Sequence, residues 1–207
     1  VRLAALLLAA ALGAGCTLGP TQKAPVTVYD LGLAEALSRS GEIDAVLEVP
    51  DVVAPAWLDS PAIHYRLAYH DEAKYPGYTN SRWAAPPAVL LTERLRQGAA
   101  AASRGVVRQG DGARADYVLR LELEEFSQVF DTPQASRGVI RARASLVSRA
   151  DRVLLGQTTL SQEKPAPTPD AAGGVKALSQ ASDALVGSAL EWTSKTLREA
   201  GRPAAGR

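Results

Sequence analysis

Two stretches in the middle of the chain repeat with a period of two, and the run that closes it repeats with a period near 3.6. Leu119, Leu121 and Leu123 alternate with Arg120, Glu122 and Glu124, and Ile140, Ala142, Ala144 and Leu146 alternate with Arg141, Arg143 and Ser145. Alternation puts apolar side chains on one side of a pleated strand, so both stretches predict half-buried strands. Asp131-Thr132-Pro133 separates them, and a turn at Ala150-Asp151 leads to a third run over 153–160. Connections this short join antiparallel neighbours, which predicts a meander. Its outer side sets Glu side chains on one strand beside Arg side chains on the next, an arrangement suited to cross-strand pairing. Pro165, Pro167 and Pro169 then break the pattern. Val175, Leu178, Ala181, Leu185, Ala189, Trp192 and Thr196 mark one long amphipathic helix. A sheet with one apolar face needs a layer to cover it, and the helix supplies one.

The first half is punctuated by proline. Thr27 to Leu31 predicts a strand, 33–40 one or two helical turns stopped by Gly41, and Asp44 to Val49 a strand ended by Pro50. A connection from Pro50 to Pro61 carries Trp57-Leu58-Asp59. Ile63, Tyr65, Leu67 and Tyr69 alternate with His64, Arg66 and Ala68, another strand. Residues 70–82 are polar and contain the turn pair Pro76-Gly77, so they read as a connection. Pro86-Pro87 suits a first helical turn, and Leu91, Leu95, Ala99 and Ala102 follow at helical spacing until Gly105. Gly110-Asp111-Gly112 is a loop. No internal repeat occurs, and 27–200 reads as a single domain with a frayed tail at 201–207. A chain of 207 residues buries about 70% of its unfolded surface, so no staple is required.

The first fifteen residues are different in kind. Arg2 precedes a short apolar run, Leu3 to Leu12, followed by Gly13-Ala14-Gly15 and then Cys16, the only cysteine. One positive residue, an apolar core too short to span a bilayer and small residues after it predict a signal peptide over 1–15. Two readings fit Cys16. In one it is the lipidated N-terminus of the mature chain, as in a bacterial lipobox, although the usual leucine three positions earlier is Gly13 here. In the other the signal is cut near Ala14 and a free thiol remains. An exposed thiol is a liability in an oxidising compartment, which favours lipidation. Residues 16–26 then form the lipidated end and its tether. Each buried methylene adds about 0.8 kcal/mol, so several acyl chains make a permanent anchor. Loss of Arg2 leaves 22 basic against 22 acidic side chains, a balance without the field that nucleic acid requires.

No catalytic or metal constellation rises above background. His64 and His70, six apart, are the only histidines and match no ligand spacing. There is no Gly-x-Ser-x-Gly and no phosphate loop. Gly173-Gly174 before a helix is either an anion nest or a flexible entry. Glu122, Glu124 and Glu125 form a carboxylate cluster, read mainly as a solvated strand face answered by Arg141 and Arg143; a hydrolase using Glu122 or Glu124 is the weakest of three functional readings. Tyr65, Tyr69, Tyr75, Tyr78 and Trp83 crowd into nineteen residues. Tyr75, Tyr78 and Trp83, placed in a loop and a helix entry, line either an interaction surface or simple loop packing.

Four features resemble the ABC-type transport auxiliary lipoproteins, the group that includes the paraquat-inducible C-type lipoprotein. They are the lipobox-like Cys16 with Tyr29-x-Leu31; Leu47-Glu48-Val49-Pro50 followed by Pro55-x-Trp57-Leu58-Asp59; Tyr78-x-x-Ser81-Arg82-Trp83-Ala84-x-Pro86-Pro87 leading into a Leu-rich helix; and Leu121-x-x-Glu124-x-Phe126 before a hairpin and a last helix. The resemblance implies an α/β fold: a three-layer domain with a mixed, partly antiparallel sheet and two main packing helices, similar to the N-terminal domain of the Tol-system propeller protein. It implies a non-enzymatic outer-membrane lipoprotein on the periplasmic side, auxiliary to an ABC system whose periplasmic subunit carries mammalian-cell-entry (MCE) domains and which moves lipids or other hydrophobic molecules. It implies no cofactor beyond a covalent N-acyl diacylglycerol on Cys16, palmitate being a typical acyl group, and it admits homo-oligomers, since some relatives form rings. Thr17, not Asp, follows the cysteine, which by enterobacterial sorting rules points to the outer membrane. Trp57, Tyr78, Arg82 and Trp83 are the candidate docking or family-motif residues, the last three serving either structure or docking, with no metal and no nucleic acid involved. The competing reading is a lipoprotein of envelope assembly or secretion that binds a protein partner and has no transport role.

Overall fold

The computed structural model describes residues 24–34 and 42–201. The signal peptide, Cys16, most of the tether, nearly all of the helical turn expected over 33–40 and residues 202–207 lie outside the described residues. Among the described residues, eight strands and two long helices follow in the order β1 (Thr27–Tyr29), β2 (Ile43–Glu48), β3 (Ala62–Leu67), β4 (Gly77–Trp83), α1 (Pro87–Ala102), β5 (Ser103–Val107), β6 (Tyr117–Thr132), β7 (Ala135–Ser148), β8 (Leu154–Pro165) and α2 (Ala171–Ala200). A short 3₁₀ turn, Ala56–Leu58, precedes β3. The expected meander is present: β6 pairs antiparallel with β7, and β7 with β8.

β6 is the spine, because its sixteen residues are long enough to serve several neighbours along one edge. β2 runs parallel to its start at Tyr117–Val118, Val53 bridges its middle at Glu122, and β3 runs parallel to its end at Gln128–Phe130. The sheet therefore forks, with β5 beyond β2 on one arm and β4 then β1 beyond β3 on the other. Leu123 faces Ala142 while Glu125 faces Arg141, so Glu124 is one residue too many. This bulge exchanges the two sides of the strand. Leu119, Leu121 and Leu123 point to the core before it, and Phe126 opposite Ile140 points there after it.

α1 and α2 cover that one side. Leu91, Leu95 and Ala99 of α1 join Leu178, Ala181, Leu185 and Ala189 of α2 and the inward residues of β6 and β7 in one core. The mixed, partly antiparallel sheet with two main packing helices agrees with expectation. A side-chain ion pair joins Arg94 of α1 to Asp183 of α2. Helices on opposite sides of a sheet would be held apart by the sheet itself. The uncovered side carries the charged alternation: Glu122 faces Arg143, and Arg143 closes on Glu124 at 2.9 Å.

Two strands and a helix start escape the sequence pattern. Gly77–Trp83, read as connection, is β4, hydrogen-bonded on both edges, parallel to β1 and antiparallel to β3. Its middle, Thr79-Asn80, is exposed, so ladder bonds and the two aromatic ends hold it where alternation gives no signal. β5 begins at the residue after α1, parallel to β2, and Ser103 Oγ donates to the carbonyls of Ala99 and Gly105 at that junction. α2 starts at Ala171, four residues earlier than the apolar period indicates, because Asp170 caps it by accepting from the Gly173 N–H at 2.8 Å. Gly173 and Gly174 are neither a nest nor a hinge. A Cβ on Gly173 would meet the Thr168 carbonyl oxygen, and one on Gly174 the Gln128 side chain. They let the helix entry close onto the sheet.

Candidate docking surface

After its bridge to β6 the chain turns outward. Val53 N–H donates to Leu121 O at 3.1 Å and Leu123 N–H donates to Val53 O at 2.7 Å. Pro55 then starts the 3₁₀ turn, Leu58 N–H donating to Pro55 O at 2.8 Å. Leu58 is fully buried and pins the turn, which throws the preceding Trp57 into solvent at 60% exposure, beside Val53 at 63%. Val53, Pro55 and Trp57 form the apolar wall of an open groove of about 360 Å³, with Glu122, Glu124 and Arg143 on its other side. An exposed tryptophan beside a paired arginine is the composition of an interface hot spot. A core residue would be covered, and Leu58 shows that this turn had a covered position to offer.

The four candidate docking residues do not share one surface. Trp83 is 1% exposed and packs edge-on against Phe126, ring centroids 5.7 Å apart. Tyr78 is half-buried, 4.9 Å from the Tyr65 ring, and its hydroxyl donates to Gln128 Oε1 at 2.9 Å. Burial first, then the neighbouring Tyr65 and Asp170, push the Tyr78 phenol up to about 12. Arg82 is exposed on β4. Trp57 alone stands on the groove. Tyr75 is likewise packing. Its ring stacks on His64 at 4.3 Å, lies under the Arg66 guanidinium, and its hydroxyl donates to Phe126 O at 3.1 Å. Burial and the charge of Glu125 raise its phenol.

The carboxylate cluster is dispersed by its partners. Glu125 takes Arg66 at 2.8 Å and Glu124 takes Arg143, while Glu122 is exposed opposite Arg143. No group of three or more His, Cys, Asp or Glu able to hold a metal occurs among the described residues. No described helix is long and apolar enough to cross a membrane.

Sequence reasoning missed one buried polar junction. Arg94, 3% exposed, donates to Asp183 Oδ1 and to the carbonyls of Leu31 and Gly32 at 2.7 and 2.8 Å. Ser179 Oγ donates to the same Leu31 carbonyl. The segment leaving β1 is thus clamped between both helices. The available signal was an arginine between Leu91 and Leu95 on an apolar helix face, matched by an aspartate between Ala181 and Leu185.

The model of one family, the ABC-type transport auxiliary lipoprotein component, matches residues 29–188. No curated protein matches the chain. Among solved structures, a Xanthomonas campestris protein superposes with a TM-score of 0.69 at 19% identity, covering 87% of this chain and 99% of its own. An uncharacterised protein gives 0.62 at 17%, covering 84% and 99%. A hypothetical protein from Chlamydia trachomatis gives 0.53 at 7%, covering 74% and 98%. At these identities the likeness is one of fold.

Proposed function

Because this chain belongs to the family of ABC-type transport auxiliary lipoprotein components, we propose that it tethers the periplasmic part of an MCE-type ABC transport system to the outer membrane, for the movement of lipids or other hydrophobic molecules. The anchor in this reading is an N-acyl diacylglycerol on Cys16, and the partner is the MCE-domain periplasmic subunit. The observation that carries the docking half is the Trp57 groove, a large aromatic side chain left in solvent by a turn whose neighbour Leu58 is fully buried. A role in holding a partner needs no reacting groups, and the arginine-paired glutamates fit a surface better than an acid–base pair.

Detergent-solubilised protein, captured from membranes, is expected to bring down an MCE-domain subunit and to carry acyl mass on Cys16. Trp57→Ala should lose the subunit and keep the acyl group; Cys16→Ala should be released from membranes and still bind the subunit. Partners drawn only from envelope assembly or secretion, with no permease, ATPase or MCE subunit, would replace this reading with the protein-binding alternative.

A further inference from the structure

β8 is the one long open edge among the described residues. It pairs with β7 on one side and with no described strand on the other, whereas the other edges, β1 and β5, run three and five residues. Edges of this length are normally guarded by charge, proline or a bulge. Here the guards sit at the ends, a register slip at Leu154–Gly156 and Pro165, and from Val153 to Gln162 no residue is charged. The ladder fixes which backbone groups are free. Ala166 N–H donates to Ser136 O at 2.9 Å, and the register runs without a slip from Arg137 opposite Pro165 to Leu146 opposite Gly156. Hydrogen-bonded and open pairs alternate along an antiparallel ladder. Residues 158, 160, 162 and 164 therefore bond β7, while Gln157, Thr159, Ser161 and Glu163, all exposed, turn their N–H and C=O groups to the open edge.

We propose that this edge takes up an extended segment of a partner protein as a further strand, uncharged over about six or seven residues and apolar at alternate positions. α2 gives the edge one wall. Gln162 Nε2 donates to Ser188 Oγ at 3.0 Å, and Gly156 lies against Trp192 and Thr196, so the helix runs over β8 on the core side. Leu160 and Trp192 are only half covered there, with no further strand to complete the layer. An incoming strand would lay its apolar alternate side chains on these two and its polar ones beside Gln157, Thr159 and Ser161. An uncharged strand suits an edge with no charge to answer it. A second copy of this chain does not suit it. Ser188 over Gln162 and Trp192 over Gly156 bring Glu191 level with Thr159, so two copies paired about Thr159 would set Glu191 against Glu191. The surface is separate from the Trp57 groove and independent of the transport reading.

The probe is a fluorescent peptide of about eight alternating valines and threonines with a lysine at each end. Its binding to the full-length protein in detergent is read by anisotropy. It should bind the unaltered chain. Methylating one alternate set of its amides should abolish binding and methylating the other should not, because one set faces β8. A peptide of the same composition with its valines and threonines in two blocks has no apolar face and should bind roughly tenfold more weakly. Thr159→Pro removes an N–H that β7 does not use, at an edge where proline is tolerated, and should weaken binding about tenfold or more. Thr159→Val keeps that N–H and should bind within about twofold of the unaltered chain. Thermal melts show whether the proline variant folds; where it does not, the two methylated peptides decide. No binding by the unaltered chain, or binding indifferent to methylation, to residue order or to a folded Thr159→Pro, would overturn the proposal. A dimer of the unaltered chain that Thr159→Pro dissolves, seen by light scattering, would give the edge to a second copy and overturn it too.

Discussion

Arg94 Nη1 lies 2.5 Å from Asp183 Oδ1, eighty-nine residues away in sequence, and the pair is buried where the two helices meet. Neither charge is there for itself. The other nitrogen of the guanidinium holds the Leu31 and Gly32 carbonyls, so one side chain ties α1, α2 and the segment after β1 together.

Removing one member of a buried pair leaves the other uncompensated, which costs about 3–5 kcal/mol. Arg94→Ala is therefore expected to lower the unfolding free energy by roughly that amount in urea titrations. Arg94→Lys should recover only a part, because a single ammonium cannot span Asp183 and two carbonyls. Limited proteolysis should cut both variants first near residues 31–34.

Gly138 tests how closely α2 sits on the sheet. A Cβ there would come within 2.7 Å of the Leu178 backbone nitrogen and 2.8 Å of the Ala177 carbonyl carbon. Helix backbone cannot yield as a flexible side chain does, so Gly138→Ala should destabilise by about 1–3 kcal/mol. Gly105 in β5 is the control, with only a Val46 methyl at 4.0 Å. Gly105→Ala should be neutral or stabilise by up to about 1 kcal/mol, since strand glycine carries an entropic cost. Paired thermal melts read the difference.

Tyr78 gives the protein an alkaline limit. Its phenol is raised to about 12 from an ordinary 10.0, so the folded chain holds a proton that the unfolded chain releases earlier. The resulting stabilisation is complete below pH 10 and is lost as pH rises toward 12. Tyr75, raised by burial and Glu125, acts in the same direction. Tyr78→Phe should flatten the fall in melting temperature across that window, and phenolate absorbance should show a late-titrating group missing from the variant.

Asp170 sets the acid side. The Gly173 N–H first, and the Thr168 hydroxyl next, hold its carboxyl below the usual range. Its contribution is present above the unfolded value of 3.8 and fades as pH falls through the lower folded one. Asp170→Ala should cost about 1 kcal/mol at neutral pH as a lost helix cap. Asp170→Asn should keep most of the cap and remove its acid dependence in melts taken below pH 5.

Much of the scaffold is legible in local sequence. Alternation around Leu119–Leu123 and Ile140–Leu146, and the helical spacing from Leu91 and from Val175, depend on neighbours two to four residues apart. Those periods survive in the structure as β6, β7, α1 and α2. β4 was not legible, since Gly77–Trp83 carries no alternation and gains its strand from β1 and β3 on either side. The bulge at Glu124 was hidden too. Glutamates at 124 and 125 read as a polar cluster until the register with Ala142 and Arg141 shows where one residue is extra.

The candidate site divides the same way. Composition and motif order singled out Trp57 and Trp83 alike, because both are tryptophans in proline-bounded segments. Only the folded chain separates them: Trp83 lands against Phe126 inside the core, while Trp57 is held out by the turn that buries Leu58. By itself the sequence determined which segments are strands and helices of the meander and its cover, the charge balance, and the family resemblance, all properties of residues near one another along the chain. The tertiary structure decided that the helices share one side of the sheet, that Arg94 finds Asp183, and which aromatic side chain meets solvent. Those outcomes rest on contacts across tens of residues, and no local period encodes them.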